Sequence, residues 1–154
     1  MGQRGARADR EGPALVSTPS KVTVEWKGEH VFDAGREGRP SVRIDGDGQA
    51  GPTPPDTLLI ALAACVSVDV VDILAKRRTP LESYSVEAVG ERVETIPRRF
   101  RHITLNVTMK GEGIERGHAE RAIDLALNKY CSVRDTLDPE LAIEWTLALN
   151  ESIT

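Results

Sequence analysis

The two cysteines of the chain, Cys65 and Cys131, are the side chains with the greatest capacity for covalent chemistry. Cys65 lies in the apolar stretch LLIALAACVSVDVVDIL, residues 58–74, and Cys131 lies in KYCSV, residues 129–133. A free cysteine is often an inert, small hydrophobic residue. It becomes a nucleophile when a basic side chain or a helix N-terminus stabilises its thiolate. The two residues are 66 positions apart (131 − 65), so only the fold could bring them together.

Three arginines ahead of Cys65 are candidates for stabilising a thiolate. Arg36 and Arg39 belong to the glycine-rich stretch AGREGRP, and Arg43 follows on a predicted strand. Asp56, near the start of the helix predicted to carry Cys65, could orient one of these arginines through a bidentate pair. The residues therefore suggest a scheme in which an arginine activates Cys65, Cys65 attacks an electrophile, and Cys131 resolves the product.

The same residues also have a purely structural interpretation. Two cysteines can be buried spectators, and arginines in a loop are usually solvated surface charges. Asp69 lies four residues after Cys65 and hence on the same helix face, where its carboxylate could be a structural hydrogen-bond acceptor. The residue types alone leave both interpretations open.

Composition narrows the classes of function. The 154 residues carry a formal net charge of −4 without interleaved basic and aromatic residues, which argues against nucleic acid as a partner. The longest apolar run, Leu58 to Val66, is too short to span a bilayer, so we expect no membrane segment. Residues 1–20 lack the apolar core of a secretory signal. Two cysteines in such a chain indicate a reducing, cytoplasmic compartment.

The pattern of potential metal ligands predicts no metal site. The three histidines form no ligand-spaced cluster with the cysteines. The stretch DGDGQ, residues 45–49, resembles the start of a calcium loop, but Ala50 stands where that loop needs glycine. We therefore predict a tight turn there.

The periodicity of apolar residues predicts an α+β fold that begins with strands and a long helix. KVTVEWK, residues 21–27, alternates as a half-buried strand with Val22, Val24 and Trp26 on one face. GPTPPD then introduces a helix of about 20 residues that ends before Pro80. This helix is apolar nearly all round through its first half, so we expect it to be central and buried.

Two strands, a second helix and a last strand follow. The alternation of apolar residues predicts strands at residues 83–94 and 101–111, with a hairpin-like connection between them. A second helix is expected to bury one stripe, formed by Ala119, Ala122, Ile123, Ala126, Leu127 and Tyr130. Ser132 and Asp135 resemble the capping box of a short helix, and residues 141–149 alternate as a strand. We assign residues 1–19 to a disordered leader and residues 20–152 to a single domain.

The segments PTPPDTLLIALAACVSVDVVDIL (residues 52–74) and RAIDLALNKYCSV (residues 121–133) resemble the OsmC/Ohr family. This family comprises osmotically inducible proteins and organic hydroperoxide resistance proteins. One of its cysteines lies in the central helix after a start with proline and an acidic residue, and the second follows the next long helix. The resemblance, which extends over residues 20–150, implies an OsmC-like fold: curved antiparallel β-sheets wrapped around two long helices. It also implies an intertwined homodimer with two equivalent sites at the interface.

The resemblance further implies thiol peroxidase chemistry in defence against oxidative or osmotic stress. Cys65 would attack an organic hydroperoxide and become a sulfenic acid, and Cys131 would condense with it to a disulfide. A dithiol donor of the lipoyl or thioredoxin type would then reduce the disulfide, and neither a metal nor an organic cofactor would be needed.

The family pattern transfers to particular residues of the site. Arg36 matches the arginine that contacts the reactive cysteine, and its short interval to Cys65 leaves Arg39 and Arg43 as alternatives for that role. Asp56 stands where the peroxidases carry glutamate. A cysteine followed by aspartate at the fourth position, here Asp69, recurs in an OsmC-like branch of unassigned activity, and this chain looks closest to that branch.

Two other functions remain open at this point. The first is a non-catalytic dimer that binds an apolar or acyl molecule at its interface. The second is a different thiol enzyme that uses Cys65 on another electrophile. A thiol indifferent to oxidants would favour the first, and a reactive Cys65 that forms no disulfide would favour the second.

Overall fold

The computed structural model describes residues 18–151, whose elements follow the α+β order expected from the sequence. The predicted leader lies almost wholly outside these residues, as do residues 152–154. The first elements are β1 (Thr23–Gly28), β2 (Val31–Gly35), β3 (Val42–Asp45), α1 (Pro54–Lys76), β4 (Ser83–Arg92) and β5 (Phe100–Lys110). They are followed by α2 (Arg116–Leu125), a π-helical turn (Ala126–Tyr130), α3 (Ser132–Thr136) and β6 (Ala142–Leu149).

Strands β1, β2 and β3 form an antiparallel sheet, sheet A, with one apolar face. Val24 pairs with Ala34 and Ala34 with Val42, and Trp26 lies on the same face. Val24 is 60% exposed and Trp26 68% exposed. The prediction of a half-buried β1 is therefore wrong for a single chain. The reason is that sheet A touches the rest of the described chain mainly where β3 contacts α1. This contact leaves the apolar face of the sheet uncovered.

A tight turn leads from sheet A towards α1. The carboxylate of Asp45, 3% exposed, accepts hydrogen bonds from the backbone N–H groups of Ala50, Asp47 and Gln49 at 2.9, 2.9 and 3.0 Å. These donors hold the pKa of Asp45 below its usual value. The turn predicted at DGDGQ is confirmed, and its aspartate is occupied by the backbone of the turn itself.

Helix α1 begins with a complete capping box. Oγ1 of Thr53 accepts a hydrogen bond from the Asp56 N–H at 3.3 Å, and the Asp56 carboxylate accepts one from the Thr53 N–H at 3.0 Å. Pro54 and Pro55 occupy the first turn, where their missing N–H groups leave no bond unmade. The predicted start of the helix is confirmed.

The two sides of α1 have different surroundings. Leu62, Val66, Val70 and Leu74 are fully buried, because α2, the π-helical turn and β4 pack against that side. Ile60 and Val68 on the other side are 52% and 62% exposed. The prediction of a helix buried all round is thus wrong for a single chain. Among residues 18–151, α1 is also the one helix long and apolar enough to cross a membrane, a criterion that core helices of globular proteins meet as well.

Strands β4, β5 and β6 form the second sheet, sheet B, which supplies much of the core. Ile103, Leu105, Val107 and Met109 of β5 are buried, as their alternation predicts. Strand β4 pairs with β5 antiparallel, but β6 pairs with β5 in parallel, from His102–Ala142 to Met109–Leu149. The expectation of purely antiparallel sheets is therefore wrong for this pair. The crossover through α2 and α3 is long enough to return the chain to the same end of the sheet.

The second helix departs from α-helical geometry at its C-terminal end. The N–H of Cys131 donates to the carbonyl of Ala126 at 2.9 Å, a bond that spans five residues instead of four. The extra residue rotates the chain, so Tyr130 is 51% exposed although the sequence pattern places it in the buried stripe. Cys131, 3% exposed, takes the buried position instead. The prediction is confirmed for the other five stripe residues and wrong for Tyr130.

This difference in burial predicts unequal costs for two truncations in the π-helical turn. Leu127→Ala is expected to lower the free energy of unfolding by about 2–5 kcal/mol, because it opens a cavity in the core. Tyr130→Ala is expected to cost about 1 kcal/mol or less, since half of that side chain is already in solvent. Urea denaturation followed by circular dichroism measures both values. Equal costs would mean that Tyr130 is buried and that the π-helical turn is absent.

Candidate active site

Cys65 lies in the middle of α1, beside the buried stripe of the helix. Its side chain is partly exposed and packs against the core. Both Cys65 and Cys131 are free thiols, and Cys131 is buried. Cys65 is therefore the more accessible of the two sulfur atoms.

Cys131 is the residue at which the π-helical turn passes into α3. Its backbone is extended (φ −70°, ψ 103°), and it is the N-cap of α3. Its Sγ accepts a hydrogen bond from the backbone N–H of Arg134 at 3.3 Å. The capping box predicted for Ser132 and Asp135 is therefore wrong, because the π-helical turn ends at Tyr130 and Cys131, not Ser132, is the cap of α3.

The environment of Cys131 keeps its thiol protonated at neutral pH. Burial raises the pKa of Cys131 to about 11, and the Arg134 N–H acts in the opposite direction. Cys65 raises this pKa further through a side-chain hydrogen bond and through its charge. Helix α1, which carries Cys65, also packs against the π-helical turn and α3, which meet at Cys131, so the fold brings together the two segments that the sequence separates. A protonated Cys131 can donate a hydrogen bond to the sulfur of Cys65.

A small cavity of about 220 Å³ adjoins Cys131. Leu127, Lys129, Arg134 and Leu137 are among the residues that line it. The guanidinium of Arg134 donates to the backbone carbonyls of Asp138 and Leu141 at 3.1 and 3.2 Å. These hydrogen bonds hold the segment after α3 in place. The sequence analysis missed Arg134. Its bond to Cys131 comes from a backbone N–H, which residue types do not reveal.

One candidate arginine lies on a strand of sheet A, and the other two lie in the turn between β2 and β3. Arg36 follows β2 and Arg39 lies in the turn after it, where the Arg39 N–H donates to the Arg36 carbonyl at 3.2 Å. Arg43 on β3 makes a bidentate pair with Asp33 at 2.9 and 3.0 Å. Within residues 18–151, no hydrogen bond or ion pair joins any of these arginines to Cys65. Their predicted role at the thiolate stays a prediction.

The two acidic candidates occupy different positions on α1. The pKa of Asp56 is lowered chiefly by the Thr53 N–H in the capping box, and the charge of Arg92 on β4 adds a smaller effect in the same direction. Arg92 was not among the residues singled out from the sequence. Asp69 is partly buried one turn after Cys65. In the described part of the chain, no three metal-ligating side chains form a group that could hold an ion.

Comparison with known proteins identifies the family. Residues 46–146 match the family described as OsmC-like protein. Protein YhfA of Escherichia coli strain K12 is 33% identical over 124 residues, which cover 80% of this chain and 92% of YhfA. The chain belongs to the OsmC-like protein family. The resemblance seen in the two cysteine segments is confirmed.

Solved structures share the fold. A hypothetical protein from Aquifex aeolicus VF5 is 26% identical with a TM-score of 0.74, over 87% of this chain and 99% of that one. The organic hydroperoxide resistance protein OhrB of Bacillus subtilis is 15% identical with a TM-score of 0.58, over 85% and 98% of the two chains. At that identity OhrB shares the fold alone. The mixed α+β fold with two sheets and helices is thus that of OsmC-like proteins.

The geometry predicts a large difference in reactivity between the two thiols. Iodoacetamide at pH 8 is expected to modify Cys65 and to leave Cys131 unmodified. At that pH a thiol with a pKa of about 11 is thiolate in only roughly one molecule in a thousand, and Cys131 is also buried. Peptide mass spectrometry identifies the labelled residue, and protein unfolded in urea is the control in which both cysteines react.

The variant Cys65→Ser extends this test. It removes the neighbouring charge that raises the pKa of Cys131, so Cys131 should react at a lower pH than in the wild type. Burial, the largest cause of the raised pKa, persists in the variant and keeps the reaction slow. Labelling of Cys131 ahead of Cys65 in the native wild type would contradict the described site.

Proposed function

We propose that the protein is a thiol peroxidase that reduces organic, lipid-type hydroperoxides in oxidative or osmotic stress. The Cys65 thiolate attacks the terminal peroxide oxygen, the O–O bond breaks, and the alkoxide takes a proton and leaves as an alcohol. Cys65 is then a sulfenic acid. The Cys131 thiol attacks that sulfur, the hydroxyl leaves as water, and a Cys65–Cys131 disulfide forms. A dithiol reductant of the lipoyl or thioredoxin type restores both thiols by exchange.

The observation that carries this proposal is a pair of neighbouring thiols with unequal surroundings. The accessible Cys65 is suited to meet the peroxide. The buried Cys131 holds its proton, because its pKa is about 11, and does not compete for the oxidant. As Cys131 attacks the sulfenic acid beside it, its thiol gives up its proton, which leaves with the hydroxyl group as water.

The family relationship supports the choice of substrate. Solved structures with this fold include organic hydroperoxide resistance proteins from Bacillus subtilis and from Legionella pneumophila. Both cysteines are free thiols, which suits the proposed reducing, cytoplasmic compartment where a dithiol donor is available.

A homodimer belongs to the proposal, because two apolar surfaces of the single chain have no cover among the described residues. One is the face of sheet A that carries Val24 and Trp26, and the other is the side of α1 that carries Ile60 and Val68. In the proposed two-fold dimer, sheet A of each protomer covers α1 of its partner. Arg36, at the end of β2, then lies over the partner's α1 and stabilises the thiolate there.

Intact-mass analysis of the reduced protein after one equivalent of cumene hydroperoxide tests the chemistry. The wild type should lose the mass of two hydrogens as the disulfide forms. Cys131→Ser should gain one oxygen, because its sulfenic acid has no resolving partner. Cys65→Ser should keep its mass, since the remaining buried thiol is protonated.

The other outcomes separate the alternative functions. If all three proteins keep their mass, the peroxidase proposal is wrong and a binding function takes its place. If Cys65 is alkylated readily but neither a disulfide nor a sulfenic acid forms, the site belongs to a thiol enzyme with another electrophile.

A charge placed on the apolar face of sheet A should break the dimer. Val24→Asp is expected to weaken association by roughly 100-fold or more, because it buries an unpaired carboxylate in the interface. Thr23→Asp, one residue away on the opposite face of the same strand, is the matched control and should leave the dimer intact. Size-exclusion chromatography with light scattering measures the mass. A monomeric wild type would refute the proposed dimer.

A further inference from the structure

A second cavity, of about 620 Å³, lies at the N-terminal end of α1. It is bounded by the start of α1, by the start of β5 and by the segment that follows α3. Its apolar walls are formed by Pro54, Pro55, Leu58, Phe100, Leu137 and Leu141. Leu58 is one turn ahead of the buried Leu62 and is itself 39% exposed. The cavity thus continues the hydrophobic core outward to solvent, and its volume is in the range of small-molecule sites.

Positively and negatively charged residues lie on opposite walls of this cavity. Arg98, Arg99 and Arg101 line it on the side of β5, and Asp138 and Glu140 line it on the side of the segment after α3. The Arg101 guanidinium lies 3.5 Å from the Glu91 carboxylate.

Two of these arginines remain available for a ligand. Within residues 18–151, neither Arg98 nor Arg99 makes an ion pair. On the other wall the Asp138 carboxylate already accepts the Glu140 N–H at 2.9 Å. The free positive charge at the mouth of the cavity is therefore that of Arg98 and Arg99 on the wall beside β5, and Asp138 and Glu140 lie on the opposite wall.

The backbone that carries Arg98 and Arg99 is held in place by hydrogen bonds. The carbonyl of Arg98 accepts from Nε of Arg92 at 2.7 Å. The N–H of Arg99 donates to the Pro97 carbonyl at 2.8 Å, and the Arg99 carbonyl accepts from the Val93 N–H at 3.0 Å. These hydrogen bonds hold the loop that carries the two guanidinium groups beside the apolar cavity.

We propose that this cavity binds a single-chain anionic amphiphile, an alkyl chain that ends in a carboxylate. The chain lies between the apolar walls, and the carboxylate pairs with Arg98 and Arg99, because guanidinium groups bind carboxylates through paired hydrogen bonds. No cysteine lines the cavity, so the proposal stands apart from the thiol chemistry and has its own test. Leu137 lines both this cavity and the one beside Cys131, so the two sites share a wall.

Isothermal titration calorimetry of the reduced wild-type protein tests the binding, with decanoate as the probe below its micelle concentration. We expect one decanoate per chain, with affinity that falls as salt is added. Decyltrimethylammonium carries the same chain with a cationic head and should bind at least tenfold more weakly. Failure of decanoate to bind, or equal binding of the two probes, would overturn the proposal.

Two pairs of variants assign the head-group contact. Arg98→Gln with Arg99→Gln should weaken decanoate binding about tenfold or more, since two charged partners are lost. Arg77→Gln with Arg78→Gln removes an equally adjacent, exposed pair at the other end of α1 and should leave binding unchanged. Equal effects of the two pairs would show general attraction to positive charge and would refute the proposed site.

Vesicles of anionic phospholipid distinguish a soluble ligand from a membrane surface. Ile96, 90% exposed in the same loop, does not line the cavity, so Ile96→Asp should retain decanoate binding. Sedimentation with vesicles that depends on Ile96, together with no binding of decanoate in solution, would replace the proposed ligand with a lipid surface. Retained decanoate binding in Ile96→Asp supports the cavity.

Discussion

The packing of helix α1 is the constraint on which the rest of the structure depends. Its side chains are apolar nearly all round, but α2, the π-helical turn and sheet B cover only the side that carries Leu62 and Val66. Cys65 lies beside that buried stripe, so its sulfur is at the boundary between the core of the chain and the uncovered side. Within residues 18–151, the apolar side of α1 that carries Ile60 and Val68 has no such cover.

The π-helical turn has a comparable effect on the second thiol. In a regular α-helix the buried stripe would continue through Tyr130, and Cys131 would point elsewhere. The extra residue in the turn moves Tyr130 to the surface and Cys131 to a 3% exposed position, in a segment that packs against the helix of Cys65. That position raises the pKa of Cys131 and places its sulfur at the start of α3. One irregular turn therefore determines the burial, the protonation and the neighbour of this cysteine.

The sequence predicted well what is decided locally. The start of α1 at Pro54 and Pro55, the turn at Asp45 and the alternation of β5 depend on neighbouring residues and are confirmed. The two cysteine segments also identified the family correctly. The sequence did not predict the features that depend on the whole fold. These are the parallel pairing of β6, the shift at Tyr130 and the exposed sides of β1 and α1. The candidate arginines remain predictions for the same reason, since a single chain pairs Arg43 with Asp33 and leaves Arg36 in the turn between β2 and β3.

The parallel pairing of β6 has a consequence for the order in which the chain folds. The β4–β5 hairpin closes over a short connection and can form early, whereas β6 reaches its place only after the crossover of residues 111–141 has been made. During synthesis, the edge of β5 that later pairs with β6 therefore stays unpaired, with Ile103 and Leu105 on the apolar face of the strand. Such an edge is a template for pairing with other chains, so the interval before residues 142–149 emerge is the stage at which aggregation competes with folding.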